Sequence, residues 1–274
     1  MDVLQWKRSK DVKHYCHFVH GSGGTLLYRL FSLDYFDSII AVGEVEINEI
    51  RLLEKARNIP EKQLIVAGNT FYDRCSQKIK EIPKEDNHQF TVLLSPSWGP
   101  NALLNMYGVN LIDPLVKTGW KIIIRPHPQS IISEKEMVAS LTEKYKDVPN
   151  IEWDFNNENI YTLSRSDIMI SDFSSIIYDF VFLFDRPVVI NLTDLDYRRL
   201  DAQDIEQEIY FIRALKKIGY QINTNNIHNI KEIIESLIHN DEYKNARQEV
   251  KQTLWQKQGE SAKNIVDFMV KTAY

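Results

Sequence analysis

Cysteine is scarce in this sequence, with only Cys16 and Cys75 among 274 residues. They form no CxxC pair, so the sequence predicts neither a zinc site nor a disulfide framework, and it suits a reducing cytoplasm. Long hydrophobic runs are lacking as well, since stretches such as Phe180–Phe184 are far too short to span a bilayer. The first residues are polar and charged, which predicts no signal peptide. We therefore expect a cytoplasmic protein.

An excess of positive charge is also absent. The chain has 33 Lys and Arg against 38 Asp and Glu, a formal net charge of -5. Binding to nucleic acid needs a basic surface that neutralises phosphates, so we expect no nucleic-acid partner. A hydrophobic content of 43% with 26% charged residues is that of a globular protein and excludes a disordered chain. The length fits one large domain or two small ones.

Apolar runs rich in β-branched residues alternate with amphipathic stretches. This alternation predicts an α/β fold, in which helices cover both faces of parallel sheets. The expected strands are Tyr15–Val19, Ser38–Val42, Gln63–Ala67, Phe90–Ser95, Trp120–Arg125, Ile151–Trp153, Asp167–Ser171 and Pro187–Asn191. The expected helices are Val45–Arg57, Leu103–Lys117, Ser133–Lys146, Asn157–Ser164, Ser174–Leu183 and Glu260–Lys271. From about Asp204 onward the sequence has almost no strand signal and predicts a helical C-terminus.

A polar stretch from Ile79 to Gln89 has the composition of an interdomain linker. We predict a first Rossmann-like domain over residues 1–80, a linker over 81–89 and a second domain over 90–274 that includes the C-terminal helices. Phe90–Asn191 contains the strands of a complete doubly wound unit. The first block has three expected strands and one good helix, so we expect an incomplete domain. Such a block docks on the second domain, or the chain lacks an N-terminal half or assembles as an oligomer.

The loop His20-Gly-Ser-Gly-Gly-Thr25 directly follows an expected strand. Glycines let the backbone approach a ligand, and exposed N–H groups suit an anion, although the same pattern also describes a plain tight turn. His20 lies where open α/β sheets place functional groups, with Gly21 and Ser22 as candidate cleft-lining residues. His14 and His17 do not complete a metal site with it, because alternate residues of a strand point to opposite faces. We expect no metal.

The turn Arg125-Pro126-His127-Pro128 follows another apolar strand. Two prolines fix the backbone around the histidine. Arg125 and His127 together form a cationic, hydrogen-bonding pair that suits phosphate. The simpler alternative is a rigid turn in which Arg125 pairs with a surface carboxylate.

Two further loops follow expected strands. In Ser171-Asp-Phe-Ser-Ser175, the polar side chains of Asp172, Ser174 and Ser175 precede a nearly apolar helix, where they cap it, bind an anion, or do both. In Ser95-Pro96-Ser97-Trp98-Gly99, Ser97 and Trp98 are candidate cleft-lining residues. Trp98 covers a substrate or fills the cleft, and the sequence leaves both open.

Together these motifs resemble the CDP-glycerol glycerophosphotransferase family, which makes teichoic-acid-type poly(glycerol phosphate). The family pattern is a His-Gly turn, a Pro-Thr/Ser-Trp loop, an Arg-x-His-Pro turn and an Asp-Tyr/Phe-Ser-Ser helix start. The corresponding residues occur here in the same order over about residues 14–200, and they are His20-Gly21, Pro96-Ser97-Trp98, Arg125–Pro128, Asp172–Ser175 and the strand opening Arg186–Val189.

The resemblance implies a GT-B fold, with the active site in the cleft between two Rossmann-like domains. It also implies transfer of glycerol phosphate from CDP-glycerol to a hydroxyl of a cell-wall or capsule polymer, without a metal or cofactor. His20 and His127 would be the catalytic residues, with His20 as the base. Arg125 and His127 would hold the donor phosphates, Ser174 and Ser175 the pyrophosphate, and Asp172 would shape the turn.

The implied partners are a nucleotide-diphosphate donor and a polymer or lipid-linked acceptor, with peripheral contact at the inner face of the cell membrane. One departure from the family is the stretch Ser22-Gly23-Gly24-Thr25, where the family usually has Thr, Pro and Lys. Three alternatives stay open: a nucleotide-sugar glycosyltransferase, a UDP-sugar epimerase, and a nucleotide-diphosphate-binding fragment without turnover. The epimerase would need several carboxylates near the cleft, where only Asp172 and Glu44 are candidates.

Overall fold

The computed structural model describes residues 8–19, 21–22, 24–83, 88–193 and 195–273. The strands are β1 (Cys16–Phe18), β2 (Ser38–Ala41), β3 (Gln63–Val66), β4 (Thr91–Leu94), β5 (Lys121–Ile124), β6 (Ile151–Trp153), β7 (Ile168–Ser171), β8 (Val188–Ile190) and β9 (Tyr220–Gln221). The helices are α1 (Glu44–Arg57), α2 (Thr70–Ile79), α3 (Leu103–Met106), α4 (Val109–Val116), α5 (Pro128–Ser133), α6 (Lys135–Lys144), α7 (Ile160–Ser164), α8 (Ile176–Phe184), α9 (Tyr210–Ile218), α10 (Ile230–His239), α11 (Lys244–Leu254) and α12 (Ser261–Ala273).

The chain divides into two compact units that do not follow chain order. The first unit contains the chain up to Arg74, the segment Leu195–Ala214 and the chain from Glu249 onward. The second unit contains Cys75–Asp194 and Leu215–Gln248. The sequence had assigned everything after residue 89 to the second domain, so the division differs from those boundaries. The reason is visible in α12, because Phe268 packs with Ile40 and Ala67 in the core of the first unit.

The first unit is built on three parallel strands in the order β1-β2-β3. The central strand β2 is buried along its whole length. All three strands were expected from the sequence, but α2 was not. Its start is fixed by Asn69, whose Oδ1 accepts hydrogen bonds from the N–H groups of Phe71 and Tyr72. An Asn at the N-cap position is a known signal for the start of a helix, and it was not used in predicting the helices from the sequence.

The second unit contains six parallel strands in the order β6-β5-β4-β7-β8-β9. Counted from β4, this is the order 3-2-1-4-5-6 of Rossmann folds. The apolar residues of the four central strands, β5, β4, β7 and β8, are buried on both faces, as a parallel sheet between two helical layers requires. One face packs against α3, α4, α6 and α10 through residues that include Val92, Leu94, Ile122, Ile168, Leu111, Leu141 and Ile234. The predicted parallel α/β architecture is confirmed.

Three details differ from the expected elements. β9 is a two-residue strand on β8, pairing Val189 with Tyr220, and it is too short to leave a periodic signal. The single helix expected over 103–117 is two helices, because Gly108 has a φ of 42° between them. The helix expected over 133–146 is α6, and a separate short helix that was not expected, α5, precedes it and ends at Ser133. Across the described residues, no helix is long and apolar enough to cross a membrane.

Candidate functional site

The polar loops of the second unit share the carboxyl edge of its sheet. Loops follow β4, β5 and β7, and β4 lies between the other two strands. The strand order reverses between β4 and β7, so the loops Ser95–Gly99 and Asp172–Ser175 border the topological switch point. Open parallel sheets bind their ligands in the crevice at this position. The structure therefore places these two sequence motifs at the switch point of the sheet.

Asp172 ties these two loops together. Its side chain is 0% exposed, Oδ1 accepts the N–H of Ser97 at 2.9 Å, and Oδ2 accepts the N–H of Leu103 at 2.9 Å. Next to it, the hydroxyl of Ser171 donates to the carbonyl oxygen of Ser95 at 2.5 Å. A buried carboxylate that accepts two backbone N–H groups fixes the backbone that carries them. Asp172 thus shapes the site and does not reach into it.

The environment of Asp172 also changes its acidity. Burial raises the pKa of Asp172 to about 6, against the lowering effect of the N–H groups that donate to it. The ordinary value is 3.8. Because the folded state holds the proton more tightly than the unfolded chain, the contribution of Asp172 to stability falls as the pH rises from about 4 to about 6, and is constant above that.

We expect this dependence to appear in a comparison with Asp172→Asn, which cannot titrate. Between about pH 4 and 6, the free energy of unfolding of the wild type should fall relative to that of the variant by up to about 3 kcal/mol. Urea unfolding at several pH values measures the difference, in which the other titrating groups cancel. A difference that stays constant, or that changes in favour of the wild type as the pH rises, would contradict the assignment.

His127 is held in a defined protonation state. Its Nδ1 accepts the N–H of Gln129 at 3.0 Å, which places the proton of the neutral ring on Nε2. Burial lowers the pKa of His127, and the charge of Glu134 opposes this effect. The ring is therefore neutral near pH 7, and Nε2–H is its hydrogen-bond donor. A neutral histidine of this kind can donate to a phosphate oxygen.

Arg125 does not have the environment expected of a phosphate ligand. It is 8% exposed, Nη1 donates to Oδ2 of Asp154 at 2.5 Å, and Nη2 donates to the carbonyl oxygen of Asn156 at 2.7 Å. Asp154 is itself buried directly after β6. The alternative reading, an arginine paired with a carboxylate, describes this geometry better, although the carboxylate is buried and not at the surface. Arg125 holds the ends of β5 and β6 together.

The carboxylate of Asp154 compensates the charge of Arg125 and also accepts hydrogen bonds from other groups. Burial by itself would raise the pKa of Asp154, but hydrogen bonds from Thr162, the N–H of Asn156 and Arg125 together lower it. The carboxylate is thus ionised at neutral pH, and the pair is a buried salt bridge. Sequence reasoning did not single out Asp154, although an acidic residue directly after a strand was an available signal.

The serines at the start of α8 remain accessible. Ser174 is half-buried and Ser175 is exposed. Ser175 is the N-cap residue, and its side chain makes no capping hydrogen bond within the described part of the chain. The helix behind it buries Ile177, Phe180 and Val181, so its N-terminus is fixed. The N–H of Ser174 also donates to Asp172, and those of Ile177 and Tyr178 donate to the carbonyl oxygens of Ser174 and Ser175. The two hydroxyls and the positive end of the helix dipole are therefore the features that suit an anion.

The loop after β4 presents Trp98. This side chain is 47% exposed, and its ring centroid lies 6.4 Å from that of His127 at an interplanar angle of 34°. Ser97 is half-buried, and its N–H donates to Asp172. The structure therefore brings Trp98 beside His127 and links Ser97 to Asp172.

The candidate residues of the first unit are placed only in part. His20 lies outside the described residues. Gly21 has open space around it, whereas Ser22 is buried and its Oγ accepts a long 3.5 Å contact from Asn69, so Ser22 does not line a surface. His14 contacts the hydroxyl of Ser38 at 2.8 Å. Among the residues that the structure describes, no group of three His, Cys, Asp or Glu side chains could hold a metal ion.

Solved structures of known proteins share this fold. The wall teichoic acid polymerase TagF, in a variant soaked with CDPG, is 16% identical and has a TM-score of 0.56 over 96% of this chain and 68% of its own. The UDP-GlcNAc 2-epimerase of Neisseria meningitidis bound to UDP-GlcNAc is 18% identical, with a TM-score of 0.59 over 93% of this chain and 69% of its own. The epimerase of Methanocaldococcus jannaschii is 15% identical, with a TM-score of 0.58 over 93% and 75%. These likenesses show the GT-B-like fold that the sequence predicted.

Comparison with curated protein sequences finds no match. The family comparison is decisive, because the model for CDP-Glycerol:Poly(glycerophosphate) glycerophosphotransferase matches residues 50–271, which include the β4, β5 and β7 loops. The chain therefore belongs to the CDP-glycerol:poly(glycerophosphate) glycerophosphotransferase family.

Proposed function

We propose that this protein transfers glycerol phosphate from CDP-glycerol to a hydroxyl group of a cell-wall or capsule polymer. The observation that carries the proposal is the switch point of the second unit, where Asp172 joins the β4 and β7 loops beside His127. Family membership supports the transferase chemistry. The fold shared with nucleotide-binding enzymes supports a nucleotide-diphosphate donor.

The donor diphosphate would bind at the carboxyl edge of the six-stranded sheet. His127 donates from Nε2, while the hydroxyls of Ser174 and Ser175 supply neutral donors at the positive end of the α8 dipole. Arg125 has no direct part in this arrangement, because its guanidinium is occupied by Asp154 and backbone carbonyls. It keeps the turn that carries His127 in place.

In the proposed reaction, the acceptor oxygen attacks the phosphorus of the glycerol phosphate group. The bond from that phosphorus to the bridging oxygen breaks, and CMP leaves with the electron pair. His20 takes the proton of the acceptor hydroxyl, and the hydrogen-bond donors around the diphosphate offset the charge that develops on the leaving phosphate. The proposal includes no metal or organic cofactor.

The fold is also that of UDP-sugar epimerases, but the positions of the two candidate carboxylates disfavour this alternative. Epimerisation needs carboxyl groups that exchange protons with a sugar. Asp172 is buried, and both of its oxygens accept backbone N–H groups. Glu44, the other candidate, is an exposed residue at the start of α1 in the first unit.

A binding module without turnover would bind CDP and form no product.

Replacement of His127 by alanine tests the donor site. We expect His127→Ala to weaken CDP binding about tenfold or more, because it removes a phosphate contact that is present in the ground state as well. Isothermal titration with CDP and UDP, alongside product formation from CDP-glycerol, provides the measurement. His228→Ala, which changes an exposed histidine of the same unit, is the control. Unaltered CDP affinity in His127→Ala would remove His127 from the donor site.

A further inference from the structure

The amide groups of the loop after β4 are used inside the protein. The N–H groups of Ser97 and Leu103 donate to Asp172, as described above. The N–H of Gly99 donates to Oε1 of Glu134 at 2.7 Å. Because neighbouring carboxylates occupy these three N–H groups, they are not available to a phosphate. The loop offers a ligand the exposed ring of Trp98 instead.

Glu134 and Asn105 close a small ring of hydrogen bonds around Gly99. Nδ2 of Asn105 donates to Oε1 of Glu134 at 2.6 Å and to the carbonyl oxygen of Gly99 at 2.9 Å. Gly99 has a φ of 99°, in the region that favours glycine. Both backbone polar groups of Gly99 are therefore bonded directly beside Trp98, which restricts the direction of the indole.

Glu134 is also fixed relative to His127. The N–H of Ser130 donates to the carbonyl oxygen of His127 at 2.8 Å. The N–H of Glu134 donates to the carbonyl oxygen of Ser130 at 2.9 Å. His127 and Glu134 thus stand at the two ends of the short helix α5. The helix α5 thus has His127, the proposed hydrogen-bond donor to phosphate, at its start. At its end it has Glu134, whose carboxylate holds the Trp98 loop.

We propose that Glu134 is a positioning residue, which holds Trp98 at a fixed distance from His127 so that both rings contact a bound nucleotide-diphosphate donor. This inference rests on the proposed function for the identity of the ligand. Its structural basis is the hydrogen bond from Gly99, which connects two loops 35 residues apart in the chain. Glu134 itself does not need to touch the donor.

Three variants of the 274-residue chain test the proposal. Glu134→Ala removes the acceptor, Glu134→Gln keeps Oε1 without the charge, and Glu136→Ala removes an exposed carboxylate of the adjacent helix as a control. The measurements are hydrogen exchange of the peptide 96–105, CDP affinity by titration, and KM and kcat for CDP-glycerol.

For Glu134→Ala we expect faster exchange in this peptide, about tenfold weaker CDP binding and a similar rise in KM, with a smaller change in kcat. Glu134→Gln should restore both properties, and Glu136→Ala should match the wild type. Unchanged exchange, or faster exchange with unchanged CDP affinity, would overturn the positioning role. So would a Glu134→Gln variant as impaired as Glu134→Ala. A wild type that binds no CDP would instead overturn the proposed function, and the role of Glu134 with it.

Discussion

Replacement of His20 by alanine is expected to lower turnover about 10²–10⁴-fold while CDP affinity stays nearly unchanged. A general base acts on the acceptor proton in the transition state, so its removal affects kcat and not the binding of the nucleotide. Steady-state kinetics with CDP-glycerol and a polymer acceptor, together with CDP titration, measure the two quantities. The role of His20 is a prediction from the sequence motif, and this variant is its direct test.

Comparison of the His20→Ala and His127→Ala variants separates the two proposed roles. His127→Ala should weaken CDP binding, whereas His20→Ala should not. The same pattern in both variants would show that the division of roles is wrong. If neither variant affects a confirmed transferase activity, the assignment of both histidines to the site fails. His228→Ala serves again as the control, because this histidine is exposed in the second unit.

Replacement of Arg125 by methionine is expected to lower the free energy of unfolding by about 3–5 kcal/mol. The reason is that Asp154 would remain as a buried, uncompensated carboxylate. The double variant Arg125→Met with Asp154→Leu should recover a large part of this loss, since an apolar pair often replaces a buried ion pair at little cost. Urea unfolding of the single and double variants gives both values.

Arg165→Ala is the matched control for this pair. Arg165 pairs with Glu152 of β6 at 2.6 Å, but the two side chains are 31% and 35% exposed. Exposed pairs contribute about 0–1 kcal/mol, so the loss should be much smaller than for Arg125→Met. If Arg125→Met were as stable as the wild type and bound CDP poorly, the phosphate-binding role predicted from the sequence would be correct after all.

Much of the candidate site could be located from the sequence. The turns after β4, β5 and β7 were recognised because short β-branched runs mark buried parallel strands and because polar residues directly after them meet at one edge. The order of these strands in the sheet was not encoded in any local pattern. Neither was the partner of Arg125, since Asp154 is distant in sequence and only the pairing of β5 with β6 brings the two together.

By itself, the sequence determined the eight longer strands, the buried helix α8 and the family, because each depends on local periodicity or on a contiguous motif. Only the tertiary structure decided that β9 exists, that α12 belongs to the first unit, and that Asp172 and Glu134 hold the Trp98 loop. The physical reason is the same for these features. A two-residue strand, a returning helix and a hydrogen bond across 35 residues are stabilised by contacts between distant segments, and such contacts leave no periodic trace in the chain.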